Sequence, residues 1–156
     1  MEDIKIKAAE ELYALICDTV KQRNFEHKQN ITEKSIELVV NVDDRTIRPQ
    51  ICVDQKNELV SFLHDVNCGF GITKCLDGAV AASTVTAKLQ YGSFDFNYSN
   101  NTVIFRLEIP YTSSQISSET INFMLDYTIT AINSYEQDFI DLSHGKIDLD
   151  AFLAKF

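Results

Sequence analysis

The chain reads as an α+β protein: an antiparallel five-stranded sheet in the order α–βββ–α–ββ–α, followed by a short C-terminal helix. Three observations predict this. Apolar residues recur at helical spacing near the start, in the middle and in a long stretch near the end. Between these stretches the period drops to two in five separate runs, as half-buried strands require. The stretch from Asp77 to Leu142 contains a helix, a glycine, two alternating strands meeting at a turn and a long acidic amphipathic helix, which is the makeup of one compact layer-on-layer domain. No internal repeat, low-complexity tract or dividing linker interrupts the sequence, so residues 1–156 are expected to form one domain, with 146–156 as a helical tail.

From Ile4 to Phe25, Ile4, Ala8, Leu12, Leu15, Ile16, Thr19 and Val20 trace one stripe of a helix whose other side is charged. The polar run Glu26–Lys34 reads as a connector. Ile36, Leu38, Val40 and Val42 then alternate with Glu37, Val39 and Asn41, and Asp43-Asp44-Arg45 supplies a turn. Ile47, Ile51 and Val53 predict the next strand, which Pro49 pushes toward an edge or a bulge because it cannot donate to a ladder. Leu59–Val66 follows the turn Asp54–Glu58, with Val60, Phe62, His64 and Val66 on one face.

Asn67–Gly71 breaks the sheet pattern. From Cys75 or Asp77 to about Leu89 the spacing is helical through Leu76, Val80, Ser83 or Thr84, and Ala87, and small residues let this helix lie close to a sheet. Gly92 is expected to end it. Phe94, Phe96 and Tyr98 form a strand, Asn100-Asn101 a hairpin turn, and Val103, Phe105, Leu107 and Ile109 the return strand up to Pro110. Ser117 reads as an N-cap, with Ile116 and Ile121 as a hydrophobic staple. Ile121, Leu125, Thr128, Ile132, Tyr135, Phe139 and Leu142 line one face of the long helix, closed by Gly145. Asp148 is placed to cap a last helix carrying Leu149, Phe152, Leu153 and Phe156.

With 45% apolar residues the chain can bury a core without disulfides or metals. Its net charge of −9 argues against nucleic acid and anionic lipid as partners, which need clustered Lys and Arg. A basic protein partner suits it better. The charged start Met1-Glu2-Asp3 lacks the positive, then apolar, pattern of a secretory signal, and no window is apolar enough to span a bilayer. Cys17, Cys52, Cys68 and Cys75 form no CxxC pair and read as free, small core thiols, so the expected address is the cytoplasm. The Asn-X-Ser/Thr matches at Asn30, Asn97 and Asn100 are then fortuitous.

Asp77–Gln90 as the middle helix, Gly92-Ser93-Phe94-Asp95-Phe96 opening a strand, Val103–Ile109 as its partner and Ser117–Leu142 as the closing helix resemble the YbjN family. That family has the fold of the type III secretion chaperones. The resemblance covers Ile36 to Leu142, with the first helix agreeing in position. The middle helix departs from it, being rich in Ala and Thr where amide side chains are expected, and Lys146–Phe156 looks like an addition. The resemblance implies no catalytic residues. It implies a folded binding module, often dimeric, linked to regulation or to the holding of extended secretion substrates.

Residues with chemistry to offer have plainer readings beside them. His64, Cys68 and Cys75 have the side chains Zn²⁺ prefers, yet a fourth ligand is lacking and a core position suits free cysteines, so no metal or other cofactor is expected. Cys17 and His27 are separated by a helix end, and His144 suits a helix C-terminus. Asp95 and Glu108 are candidates to face each other across the hairpin, with Arg106 neutralising one. Phe94, Phe96, Tyr98 and Phe105 read as sheet core rather than a stacking platform, and Gly69-Phe70-Gly71 as a turn rather than a phosphate loop.

The reading is a non-enzymatic, cytoplasmic protein-binding module, expected to be a homodimer. Val39, Val60, Phe62 and Ile104 are the candidates for an exposed apolar sheet face. The long helix holds five acids and no Lys or Arg between Ser117 and Gly145, which nominates Glu119, Asp126, Glu136 and Asp138 as a docking face for a basic segment. One alternative is a small-ligand-binding protein or small enzyme with a pocket between sheet and long helix, using Tyr135, His64 and Arg106. Another is an acidic immunity- or antitoxin-type partner protein.

Overall fold

The computed structural model, which describes residues 2–156, holds seven strands rather than five. The elements are α1 (Glu2–Gln22), β1 (Glu26–Asn30), β2 (Ser35–Val42), β3 (Arg45–Ile47), β4 (Gln50–Asp54), β5 (Leu59–Asp65), a 3-10 turn (Ile72–Lys74), α2 (Cys75–Thr86), β6 (Ser93–Asn97), β7 (Thr102–Pro110), α3 (Ser118–Ser143) and α4 (Leu149–Leu153). The strands follow the order β1-β2-β4-β5-β7-β6, with β3 paired to β2 off this path. The pairs β1–β2, β2–β3, β2–β4, β4–β5 and β6–β7 are antiparallel.

Two departures explain the larger strand number. Glu26–Asn30, expected as a connector, is β1, with His27 opposite Leu38 and Gln29 opposite Ile36. It lies at the end of the strand order, where a strand needs a paired backbone on one side and no apolar face, so its polar composition concealed it. The strand expected through Ile47, Ile51 and Val53 is interrupted at Pro49 and becomes β3 and β4, both paired to β2. The Pro49 carbonyl still accepts from Leu38 N–H at 2.9 Å.

By its contacts the chain divides into two compact units. The first comprises Met1–Leu63 and Leu107–Ile129. Its core combines Ala9, Leu12, Ile16 and Val20 of α1 with Ile36, Leu38, Ile51, Val53, Val60 and Phe62 of the strands and Ile121 and Leu125 of α3. The Tyr13 hydroxyl donates to the Ser35 carbonyl at 3.1 Å, and burial pushes its pKa up to about 12. The β4–β5 turn is closed by Asp54, whose carboxylate accepts from the Asn57 N–H at 3.0 Å and from its side-chain amide at 2.7 Å. Glu58 follows at φ +59°, takes an ion pair from Lys5 and accepts from the Thr112 hydroxyl at 2.8 Å.

The second unit comprises His64–Arg106 and Thr130–Phe156. Phe94 lies at its centre, 2% exposed, with its ring 5.2 Å from Phe105, 5.9 Å from Tyr135 and 5.1 Å from Phe139. Its backbone is also held: the Phe94 N–H donates to Thr86 Oγ1 at 2.9 Å, and that hydroxyl donates to the Phe94 carbonyl at 3.0 Å. Helix α2 therefore ends at Thr86, earlier than the Leu89 and Gly92 expected, because this β-branched residue's hydroxyl answers the neighbouring strand. Ser117 caps α3 as expected, accepting from Thr120 N–H at 3.3 Å, and Asp148 caps α4, accepting from Ala151 N–H at 2.8 Å.

The segment after Gly145 (φ +72°) is part of the core, where an addition was expected. Phe152 is fully buried, 5.5 Å from the Phe139 ring, and Phe156 lies 5.2 Å from Phe152 and 5.5 Å from Tyr135. Phe152→Ala is expected to destabilise the protein by about 3–5 kcal/mol, read as a lower urea midpoint, whereas Asp150→Ala on the exposed side should change little. Hydrogen bonding from Asn57 holds the Asp54 carboxyl below its ordinary value, and Lys5 does the same for Glu58. Carboxyls lowered by folding contribute stability above their ordinary range and lose it as pH falls through the folded value. The melting temperature is thus expected to hold near neutrality and drop below about pH 4.

Candidate functional site

Helix α2 presents two very different sides. Gly78, Ala81, Ala82 and Val85 are buried, at the spacing of one helical stripe. A side chain at Gly78 would bring a Cβ within 2.5 Å of the Phe96 ring, so glycine sets how closely helix and strand approach. Of the stripe expected from the sequence, Leu76 and Ala87 instead point outward and Val80 is half-buried. Leu76 is 73% exposed and Ile72, one turn earlier, 89% exposed. The reason is volume: small side chains permit a close helix–sheet contact that leucine would hold apart. Along α2 the one charged side chain is Asp77, so this outward side is apolar or uncharged. Exposed apolar clusters of this kind mark interaction surfaces.

The sheet residues nominated for such a role are placed otherwise. Val60 and Phe62 are each 1% exposed and belong to the core, because their strand turns that face inward. Val39 and Ile104 are half-buried, Val39 opposite Glu26 and Ile104 opposite Asp95. An exposed aliphatic pair lies instead at the start of α2, Ile72 in the 3-10 turn and Leu76 in the first helical turn, and the signal for it was their position off the phase of Gly78, Ala81 and Val85.

Among the acids of α3, Glu119 and Asp126 are exposed and Asp138 is half-buried. Asp126 accepts from Arg23 at 2.7 Å, and Asp138 takes an ion pair from Lys155. Glu136 does not belong to a solvated face. It is 6% exposed, and its Oε1 lies 2.7 Å from Nε2 of His64, itself 6% exposed. Glu136 stands four residues after Ile132 and three before Phe139, so it falls on the buried phase of the helix. Such a carboxylate is tolerated in a core because the imidazole answers it.

His64 is therefore a partner of Glu136 rather than of the cysteines. Burial pushes the Cys68 thiol up to about 11, with the Glu136 carboxylate adding to the effect, so this sulfur is a poor nucleophile. Cys75 Sγ lies 3.5 Å from the Gly71 carbonyl, and no group of three or more His, Cys, Asp or Glu is placed to hold a metal among the described residues. Cys17 is buried, while His27 Nδ1 lies 2.8 Å from the Phe25 carbonyl. At the end of α3 it is Lys74, not His144, whose side chain reaches a terminal carbonyl, that of Leu142, at 3.3 Å.

The Asp95–Glu108 pair is not formed. Asp95 lies opposite Ile104 and pairs with Arg106 at 3.4 Å, while Glu108 accepts from the Ser61 hydroxyl at 3.1 Å. The three residues nominated for a ligand pocket do not converge either. Tyr135 packs between Phe94 and Phe156, His64 is paired, and Arg106 is exposed. A cavity of about 430 Å³ lies by Asp65, Asn67, Cys68 and Asn100, and one of about 230 Å³ by Leu12, Leu15, Tyr111 and Ile116. None of the three lines either one.

These features define an α+β fold of the type III secretion chaperone kind, which known structures share. A chain of the HopA1–SchA chaperone–effector complex is similar at 10% identity, TM-score 0.57, over 85% of this chain and 97% of that one. YbjN from E. coli, a proposed transcription regulator, is similar at 9% identity, TM-score 0.56, over 83% of this chain and 89% of its own. A chain of the ExsC–ExsE complex is similar at 11% identity, TM-score 0.55, over 83% of this chain and 94% of that one. The fold that the YbjN resemblance implied is thus the fold observed. No family model matches the chain, and no curated protein matches it. No helix among the described residues is long and apolar enough to cross a membrane.

Removing one partner of the buried pair tests its role. His64→Leu should cost about 3–5 kcal/mol by leaving Glu136 buried without its imidazole, and adding Glu136→Leu should recover much of that loss. Urea unfolding of the two single variants and the double variant measures the coupling.

Proposed function

We propose that the chain is a non-enzymatic, chaperone-like protein-binding domain that acts in the cytoplasm as a homodimer. The observation that carries this reading is the apolar pair formed by Ile72 in the 3-10 turn and Leu76 in the first turn of α2, both standing in solvent, with Asp77 and Lys74 as the charged residues beside them and Lys74 directed to the Leu142 carbonyl. A monomer keeps two large aliphatic side chains so exposed at a cost in solubility, and a second copy removes that cost by covering them. The fold supports the same reading, since similar chains come from a chaperone–effector complex and from the ExsC–ExsE complex. Helix α3 and strand β7 each run unbroken through both units, which favours one domain over two. The buried His64–Glu136 pair and the high thiol pKa of Cys68 fit a structural rather than a reactive interior.

Light scattering at high protein concentration tests the dimer. The expected mass is twice 17.7 kDa, and Ile72→Glu with Leu76→Glu should return it to the single-chain value with little change in melting temperature. A single-chain mass for the unmodified protein at every concentration would remove the dimer from the proposal.

A further inference from the structure

The 3-10 turn Ile72–Lys74 presents Ile72 to solvent, and no residue of the turn is buried, so packing of its own side chains does not hold it. The chain before it adds little stiffness. Gly69 and Gly71 flank Phe70, and a Cβ at either glycine would meet nothing within 4 Å. One tie lies within the turn, where the Lys74 N–H donates to the Gly71 carbonyl at 2.8 Å. A second tie leaves it. The Lys74 side chain is half-buried, and its ammonium donates to the Leu142 carbonyl at 3.3 Å.

The far end of that hydrogen bond explains why a lysine stands there. Helix α3 ends in carbonyls that need donors, and its last turn carries no basic residue. Lys146 does not serve, since its ammonium pairs with the Asp141 carboxylate at 3.1 Å. Lys74 brings the cation from another part of the chain to the negative end of the helix dipole. Gly145 leaves room for it: the backbone turns away at φ +72°, and a Cβ there would stand 2.8 Å from Lys74 Nζ. We propose that Lys74 is a positioning residue, which fixes the turn to α3 so that Ile72 and Leu76 stand as a preorganised apolar pair for docking a second copy. A pair held in place before contact loses less freedom on association than one carried on a mobile turn. The inference rests on the self-association reading and names the residue that governs it.

The test uses the full chain, isotope-labelled for NMR, with Lys74→Met, which keeps the aliphatic stem and removes the charge and the donor. Amide order parameters at Ile72 and Thr73 are expected to fall from about 0.85 toward 0.6, while those inside α2 hold. The dimer dissociation constant, read by light scattering over a dilution series, should rise about tenfold. Lys74→Arg keeps a cation and should stay near the unmodified protein in both readings. Unchanged order parameters in Lys74→Met, or an unchanged dissociation constant where they do fall, would overturn the proposal. An arginine variant as impaired as the methionine one counts against it too. Should Lys74→Met fail to fold, Lys74→Gln, with an amide donor and no charge, is held to the same two expectations. A single-chain mass for the unmodified protein sinks the dimer reading alone, and the order parameters then decide the positioning role.

Discussion

Much of the second unit is arranged around a single residue, Phe94. Its side chain meets three aromatic rings, from Phe105 on the facing strand and from Tyr135 and Phe139 on α3. Its main chain meets the Thr86 hydroxyl in both directions. Strand alternation makes the two compatible, because a side chain perpendicular to the sheet leaves the amide and carbonyl in the sheet plane. Burial of the ring and satisfaction of the backbone then set where α2 must end and how close it must come. Gly78, beneath the Phe96 ring, meets that spacing.

The elements read most easily from sequence were those in which one periodicity dominates. The β6–β7 hairpin, the long helix with its Ser117 cap and the last helix with its Asp148 cap all follow from local chemistry. β1 was illegible because a strand at the end of the order, Glu-His-Lys-Gln-Asn, carries no apolar alternation and is held by its backbone to β2. The orientation of α2 was illegible for a different reason. Its buried side is made of Gly and Ala except for Val85, and hydrophobic spacing underrates these small residues, whereas Leu76 draws the eye and faces water.

The candidate site was partly visible. Acidity of α3 was evident, but which acids stay solvated depended on helical phase: Glu136 falls in line with Ile132 and Phe139, and Glu119 with Phe123 and Tyr127. Pairings across distant positions, such as His64 with Glu136 or Ser61 with Glu108, required strand register that no local pattern contains. The same is true of Val60 and Phe62, whose alternation announced a face without saying which one.

Thr86 has one more consequence. Unpaired main-chain groups at the rim of a sheet are templates on which stray peptides can stack and propagate into fibrils. At the second residue of β6 a hydroxyl has already taken both the N–H and the carbonyl of Phe94, so at that point nucleation of cross-β growth finds nothing to copy. On a strand that carries two phenylalanines, a stray peptide is thereby denied a template at one of them.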